Sequence, residues 1–166
     1  MPEADRLSNE DAIERIWELV KSIDFCMFVT WDGERQRARP LSARPIREEG
    51  RIYFLTDVDG AKDDQIERFP RVTLAFADIA KHSYVSVTGD ATVSDDRAKI
   101  ADLWTAADKA WWDSENDPAI RLISVEPHDA ELWDGPNRLV GAAKMLIAAA
   151  TGAKPDFGTN QKVDHL

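Results

Sequence analysis

The sequence predicts a mainly β protein, an antiparallel β-barrel with helices packed against its outside. Six or seven short segments are rich in β-branched and aromatic residues, and hairpin signals connect the early ones. Helical periodicity occurs once before these segments, twice between them and once after them. Because the interior of a small barrel is filled by side chains, a ligand is expected on its outside or between subunits.

The first part of the chain predicts a helix followed by a hairpin. Ser8 precedes a run of acidic residues, which is typical of a helix N-cap, and apolar residues then recur at helical spacing. The aromatic segment Phe25 to Trp31 predicts a buried strand. Asp32-Gly33 is a strong hairpin signal, so the return strand should cover about 35–43.

Alternating strands and helices are predicted for the rest of the chain. The expected strands cover 51–56, 72–77, 83–93, 122–125 and 131–133. The expected helices cover 61–69, a segment capped by Ser94-Asp95-Asp96 that ends at about 107, and about 138–151. Gly89 should mark a bulge or a bend in its long strand, and Pro127-His128-Asp129 should separate the last two strands. All of 1–166 is expected to form one domain, with a core of about 8–135 and a partly ordered polar tail at 152–166.

Composition narrows the possible function classes. A formal net charge of −10 and a pI near 4.7 disfavour general binding to nucleic acid or to an anionic membrane. The single cysteine, Cys26, lies in an apolar run, so we expect a buried residue rather than a reactive thiol. The N-terminus lacks the apolar stretch of a signal peptide, and no run of 18 apolar residues occurs, so a cytoplasmic location is expected.

Six of the thirteen arginines lie between residues 35 and 51. Arg35, Arg37 and Arg39 alternate along the predicted return strand, so their side chains should share one face about 7 Å apart. Their mutual repulsion in water is only about 0.6 kcal/mol, which permits a solvated edge. Alternatively, at least one of these guanidinium groups binds a fixed anion such as a phosphate. Arg44, Arg47 and Arg51 are expected to be solvated.

A second candidate lies between Thr56 and Lys62, where a strand leads through a turn into a helix. Thr56 offers a hydroxyl, Lys62 offers an ammonium, and helix starts favour anions. The turn lacks the glycine spacing of a Walker loop, so an ordinary connection remains an alternative. If the strand carrying Arg39 pairs with the strand ending at Thr56, then Arg39, Thr56 and Lys62 could converge on one phosphate.

Other patterns are less informative about chemistry. Trp104, Trp111 and Trp112 are closely spaced, which fits core packing, a subunit contact or stacking on a planar ligand. The three histidines show no metal-site spacing with Cys26, and no hydrolase motif is present, so no catalytic residue can be named. The acidic pair at 63–64 lies at a helix start, where acids are expected because of the helix dipole.

The ordered set of motifs resembles the bacterial general stress protein 26 family, over roughly residues 8–135. That family belongs to the pyridoxamine 5′-phosphate oxidase-like flavoproteins with the FMN-binding split-barrel fold. The motifs that carry the resemblance are RPL, GRIYFLT, Gly60-Ala61-Lys62, PRVTLAFAD, YVSVTGDATV, DLWTAADKAWW, DP and ELWD.

The resemblance implies a six-stranded split barrel that forms a homodimer and holds two FMN molecules in grooves between the subunits. Arg39 and Lys62 match the cations that reach the FMN phosphate. Pro40 and Leu41 match positions along the isoalloxazine ring, and Leu55 and Thr56 match positions beside the ribityl phosphate. Trp111 matches a position that reaches the flavin from the partner subunit.

Two departures argue against true pyridoxamine 5′-phosphate oxidase activity. Tyr84 lies near a position where the oxidases carry a glutamine, and the C-terminal segment GTNQKVDHL lacks their substrate-binding arginine. Three hypotheses therefore stay open: a flavin-dependent oxidoreductase, a flavin-binding stress protein that acts as a buffer or sensor without turnover, and a binder of another cofactor such as deazaflavin or haem.

Overall fold

The computed structural model describes residues 7–58, 62–135, 138–152 and 159–166. The helices are α1 (Asn9–Ile23), α2 (Lys62–Arg68), α3 (Arg97–Leu103) and α4 (Arg138–Thr151). The strands are β1 (Phe25–Trp31), β2 (Gln36–Ser42), β3 (Arg44–Ile46), β4 (Arg51–Asp57), β5 (Arg71–Asp78), β6 (Ser83–Ser94), β7 (Ile120–Asp134) and β8 (Thr159–Asp164). None of the described helices is both long and apolar enough to cross a membrane.

All eight strands belong to one antiparallel sheet in the order β2-β1-β5-β6-β7-β4-β3, with β8 also paired to β7. The sheet curls strongly. Three strands separate β1 from β4 in the sheet, yet Phe28 of β1 meets Phe54 of β4 edge to face, with ring centroids 5.1 Å apart. The expected barrel with flanking helices is confirmed, with eight strands in place of six.

Two apolar layers hold the sheet. The inner core combines the concave face with the buried side of α1, including Ile16 and Val20. Ser8 caps this helix by accepting a hydrogen bond from the Asp11 amide at 3.1 Å, as its sequence predicts. A second cluster packs α3 against the outer side of β4 and β7. Strand β4 is therefore buried on both faces, which fixes the position of its end at the groove described below.

The two late strands predicted on either side of Pro127 are one continuous strand, β7. The expectation of a break was wrong because Pro127 lies opposite Gly89, where the register of β6 and β7 shifts. At such a bulge a residue can lack an N–H without breaking the ladder. The predicted bulge at Gly89 is confirmed: a Cβ there would lie 2.3 Å from the Glu126 carbonyl oxygen.

Three other features differ from expectation. The helix expected to follow the cap at residues 94–96 does begin after its N-cap Asp96, but it ends at Leu103 rather than near Ala107, and a separate 3-10 turn covers Ala106–Ala110. Strand β1 is buried only at alternate positions. Part of the polar tail forms β8, because Val163 turns inward and joins the core.

Candidate functional site

A groove of about 240 Å³ opens between the edge of β2, the end of β4 and the segment that follows α3. Its lining residues are Phe25, Pro40, Leu41, Ser42, Arg44, Leu55, Thr56, Asp57, Asp108, Trp111 and Trp112. Aromatic and aliphatic side chains form most of this surface, and a few polar groups interrupt it. Such a lining is typical of a site for a planar organic ligand.

Arg39 lies next to the groove on β2 with its guanidinium partly buried. One nitrogen, Nη2, donates to Thr30 Oγ1 and to Gln65 Oε1, both at 3.1 Å. The other, Nη1, is buried and has no hydrogen-bond partner among the described residues. Burial lowers the pKa of Arg39, and the neighbouring charge of Arg37 lowers it further. A buried guanidinium nitrogen without an acceptor is costly, and an anionic ligand would relieve that cost.

Lys62, the first residue of α2, is the second cation of the site and is buried. Its Nζ donates to the Asp57 carbonyl oxygen at 3.0 Å, which ties the helix to the end of β4. Burial lowers the pKa of the Lys62 ammonium; Asp63 counteracts this change, and the charge of Arg39 adds to it. The two cations are therefore close enough to repel each other, an arrangement that a bound anion would stabilise.

The strands that carry Arg39 and Thr56 are not paired. Strands β2 and β4 lie near opposite ends of the sheet, so the condition of direct pairing is not met. The curl of the sheet brings them into contact instead. Thr56 is buried beside Asp57, whose carbonyl holds Lys62. Residues 59–61 of the predicted phosphate turn lie outside the described residues.

A buried ion pair forms one wall of the groove. Arg44 Nη2 donates to the Asp108 carboxylate, whose other oxygen accepts from the Thr105 amide at 2.8 Å and from the Thr105 hydroxyl at 3.0 Å. The Asp108 side chain is 7% exposed and that of Arg44 is 16% exposed. The expectation that Arg44 is solvated was therefore wrong. This pair fixes the segment that carries Trp111 and Trp112.

The other arginines of the 35–51 stretch have carboxylate partners too. Arg37 donates to Asp32 at 2.6 Å within the β1–β2 hairpin, and Arg51 lies 2.9 Å from Glu126. Arg47 pairs with Glu14, and the exposed Arg35 pairs with Glu34 at 3.5 Å. Arg47 and Arg51 are thus ion-paired rather than merely solvated. Within the described part of the chain, Arg39 alone among the six lacks an ion pair.

Five of the seven sequence-predicted site residues line the groove, and the two cations flank it. Pro40, Leu41, Leu55, Thr56 and Trp111 belong to the lining, whereas Arg39 and Lys62 lie beside it. Trp111 is 77% exposed, so its indole is available to a ligand or a second chain. Sequence reasoning missed Asp108, although the Thr105-to-Asp108 spacing is a capping-box signal. No comparable signal identifies its partner Arg44, 64 residues earlier.

The described residues contain no cluster of His, Cys, Asp or Glu side chains suited to a metal ion. Cys26 is buried as predicted, and burial raises the pKa of its thiol to about 12. No histidine is among the groove residues named above. The chemistry of the site therefore depends on the cations and the apolar groove.

Comparison with known proteins identifies relatives of this arrangement. The profile of the family described as "Pyridoxamine 5′-phosphate oxidase like" matches residues 11–156. General stress protein 26 of Bacillus subtilis (strain 168) is 27% identical over 90 residues, which cover 50% of this chain and 61% of that protein. The chain thus matches less than two thirds of that relative's length.

Two solved structures share the fold. A proposed general stress protein 26 from Jannaschia sp. CCS1 superposes with a TM-score of 0.77 at 20% identity, over 95% of this chain and 99% of the other. The general stress FMN/FAD-binding protein of Xanthomonas citri superposes with a TM-score of 0.67 at 27% identity, over 75% of this chain and 89% of the other.

Proposed function

The chain belongs to the pyridoxamine 5′-phosphate oxidase-like family, and we propose that it is an FMN-binding flavoprotein. In this proposal, the groove beside β2 and β4 holds the isoalloxazine ring and ribityl chain. Arg39 and Lys62 hold the phosphate, and the functional form is a homodimer. The Xanthomonas citri protein, whose name states that it binds FMN or FAD, supports the choice of a flavin.

The buried, unpartnered Nη1 of Arg39 is the observation that carries the proposal. The other terminal nitrogen, Nη2, donates hydrogen bonds to Thr30 and Gln65, so the orientation of the guanidinium is fixed before any ligand binds. A phosphate oxygen would supply the missing acceptor, and the nearby Lys62 ammonium would supply a second positive charge. Preorganised cations of this kind bind a phosphate ester without a large ordering cost.

The apolar groove fits the remainder of an FMN molecule. Leu41 and Leu55 provide aliphatic surface, and Trp111 and Trp112 provide aromatic surface. Bound FMN would supply two-electron redox chemistry at this position. The residues of the chain would orient the ring, shield it from water and bind its phosphate.

The proposed homodimer is supported by what one chain leaves open. A groove of about 240 Å³ is smaller than the roughly 300–1,000 Å³ usual for organic ligand sites. Trp111 and Phe25, both on its rim, are 77% and 57% exposed, and Met27 continues this apolar surface along β1. A second copy that covers these side chains would also deepen the site.

A flavin-binding protein without turnover is the second candidate. One observation favours it: of the two aspartates that line the groove, Asp108 is fully engaged with Arg44 and Thr105. A general acid or base needs a proton-accepting atom that is free to meet the substrate. Reduction of the bound flavin with NADH or NADPH, followed by reoxidation with oxygen, would separate the oxidoreductase from the buffer or sensor.

The phosphate assignment is tested by titrating the purified protein with FMN and with riboflavin, which lacks the phosphate. Arg39→Ala and Lys62→Ala should each weaken FMN binding by about 1.5–3 kcal/mol, the value of a hydrogen bond to a charged group. Riboflavin binding should change little. Arg37→Ala is the matched control, because Arg37 lies on the same face of β2 but is already paired with Asp32.

The outcomes are distinct. Equal loss of FMN and riboflavin in the variants would mean that they damage the fold rather than the phosphate site. Unchanged FMN affinity in both variants would refute the assignment. A protein that binds neither flavin, but binds haem or a deazaflavin, would refute the cofactor, and size-exclusion chromatography with light scattering would test the homodimer.

A further inference from the structure

Asp63, the second residue of α2, lies beside the proposed phosphate site with an unsatisfied carboxylate oxygen. Its Oδ1 is buried and has no hydrogen-bond partner among the described residues. The same oxygen is 4.0 Å from Lys62 Nζ, too long for a hydrogen bond but close enough for strong electrostatic interaction. The side chain is only 16% exposed, so solvent screens this interaction weakly.

The charges around Asp63 come from two elements. Lys62 on α2 and Arg121 on β7 attract the carboxylate, whereas Asp64 and Glu67 on α2 repel it. Arg121 is opposite Thr56 in the β4–β7 pairing, so Asp63 faces the same region as the end of β4. Arg121 Nη1 donates to the carbonyl oxygens of Pro118 and Ile120, and no ion pair joins Arg121 to Asp63 in the described structure.

Given the FMN phosphate site proposed above, we propose that Asp63 is a specificity-determining residue that competes with the phosphate for Lys62. Without ligand, the carboxylate partly balances the Lys62 ammonium. When a phosphate dianion binds, Arg39 and Lys62 balance its two negative charges, and the Asp63 carboxylate is then a third negative charge beside it. Ionised Asp63 therefore weakens phosphate binding, and protonation of Asp63 removes this repulsion.

The electrostatic environment supports this role. Burial raises the pKa of Asp63, and a bound phosphate would act in the same direction. The carboxylate thus takes up its proton at a higher pH than an exposed aspartate does. Phosphate affinity should consequently be coupled to the protonation of this one side chain.

The test compares Asp63→Asn with the wild type by calorimetric titration with FMN and with riboflavin between pH 5 and pH 8. At pH 8 the variant should bind FMN about tenfold more tightly, the order expected from removing one like charge a few ångströms from the phosphate. The ratio of the FMN affinity of Asp63→Asn to the FMN affinity of the wild type should shrink as the pH falls, because wild-type Asp63 then becomes neutral. Using the ratio cancels the protonation of the FMN phosphate itself.

Asp64→Asn is the matched control, because Asp64 is the next residue but is exposed. It should leave FMN affinity nearly unchanged, and riboflavin affinity should be the same in all three proteins. Asp63→Ala should tighten FMN binding in the same direction as Asp63→Asn. Unchanged or weaker FMN binding in both Asp63 variants, or a ratio independent of pH, would overturn the proposal. If wild-type protein binds FMN no better than riboflavin, the phosphate site itself is refuted.

Discussion

Replacing Asp108 with alanine should detach the tryptophan wall of the groove and destabilise the whole chain. The carboxylate accepts from Arg44 and twice from Thr105, and the Asp108 carbonyl accepts from the amides of Trp111 and Trp112 at 2.9 and 3.1 Å. Asp108→Ala leaves the Arg44 guanidinium buried without a partner. It also removes the Asp108 half of the capping box at the start of the 3-10 turn.

The expected magnitude follows from these two losses. Breaking one side of a buried ion pair costs about 3–5 kcal/mol, and loss of a side-chain cap costs about 1 kcal/mol. The two effects share one carboxylate, so a total of about 4 kcal/mol is expected rather than their full sum. For a chain of this length, this corresponds to a fall in Tm of roughly 8–16 °C.

Urea unfolding followed by tryptophan fluorescence measures this loss. Asp113→Ala is the control, because Asp113 is exposed in the same segment and its loss should change the unfolding free energy by about 0.5 kcal/mol or less. The double variant Arg44→Met/Asp108→Leu removes both charges and should recover most of the stability that Asp108→Ala loses. A loss below about 1 kcal/mol for Asp108→Ala would refute the reasoning. So would a double variant whose loss of unfolding free energy equals the sum of the losses caused by its two substitutions made singly.

Two further predictions concern the sheet. Gly89→Ala should cost about 1–3 kcal/mol or more, because the new Cβ would lie 2.3 Å from the Glu126 carbonyl oxygen and 3.0 Å from Pro127 Cα. Gly50→Ala, with open space but a φ of +59°, should cost about 1 kcal/mol, and equal urea midpoints for the two variants would contradict the steric argument. The pKa of Asp32 is lowered to about 2 by hydrogen bonds from the backbone amides of Arg35 and Glu34 and from the Arg37 side chain. The Asp32 carboxylate therefore stabilises the hairpin fully at pH values above the usual aspartate pKa, and this stabilisation is lost as the pH falls towards 2. Asp32→Asn should therefore lower Tm at pH 7 but differ less and less from the wild type as the pH is lowered from 5; a constant difference in Tm would argue against this role.

Local sequence signals predicted the elements that depend on near neighbours. Ser8 and Asp11 meet within one helical turn, and Asp32-Gly33 closes a hairpin between adjacent strands, so both are determined by short-range chemistry. The bulge at Gly89 was predictable because a glycine inside a strand marks a close backbone approach. These short-range signals locate the start of α1, the β1–β2 hairpin and the bulge in β6.

Long-range features were less accessible. Pro127 was expected to end a strand, and only its position opposite Gly89 explains why the strand continues. The Arg44–Asp108 pair joins residues that are far apart in the sequence, so no local pattern distinguishes Arg44 from a solvated arginine. Likewise, the contact between the strands of Arg39 and Thr56 arises from the curl of the sheet, not from strand pairing.

Strands β4 and β8 both pair with the same edge of β7, and this arrangement bears on aggregation. Strand β4 pairs with Ile120 to Val125, and β8 pairs with Asp129 to Asp134, so the C-terminal strand covers the half of this edge that β4 does not reach. An uncovered edge of that length would be a template for strand addition by another molecule. The last strand replaces it with an edge that carries the exposed, charged residues Lys162 and Asp164. Its contribution is therefore to close this half of the β7 edge to strand addition.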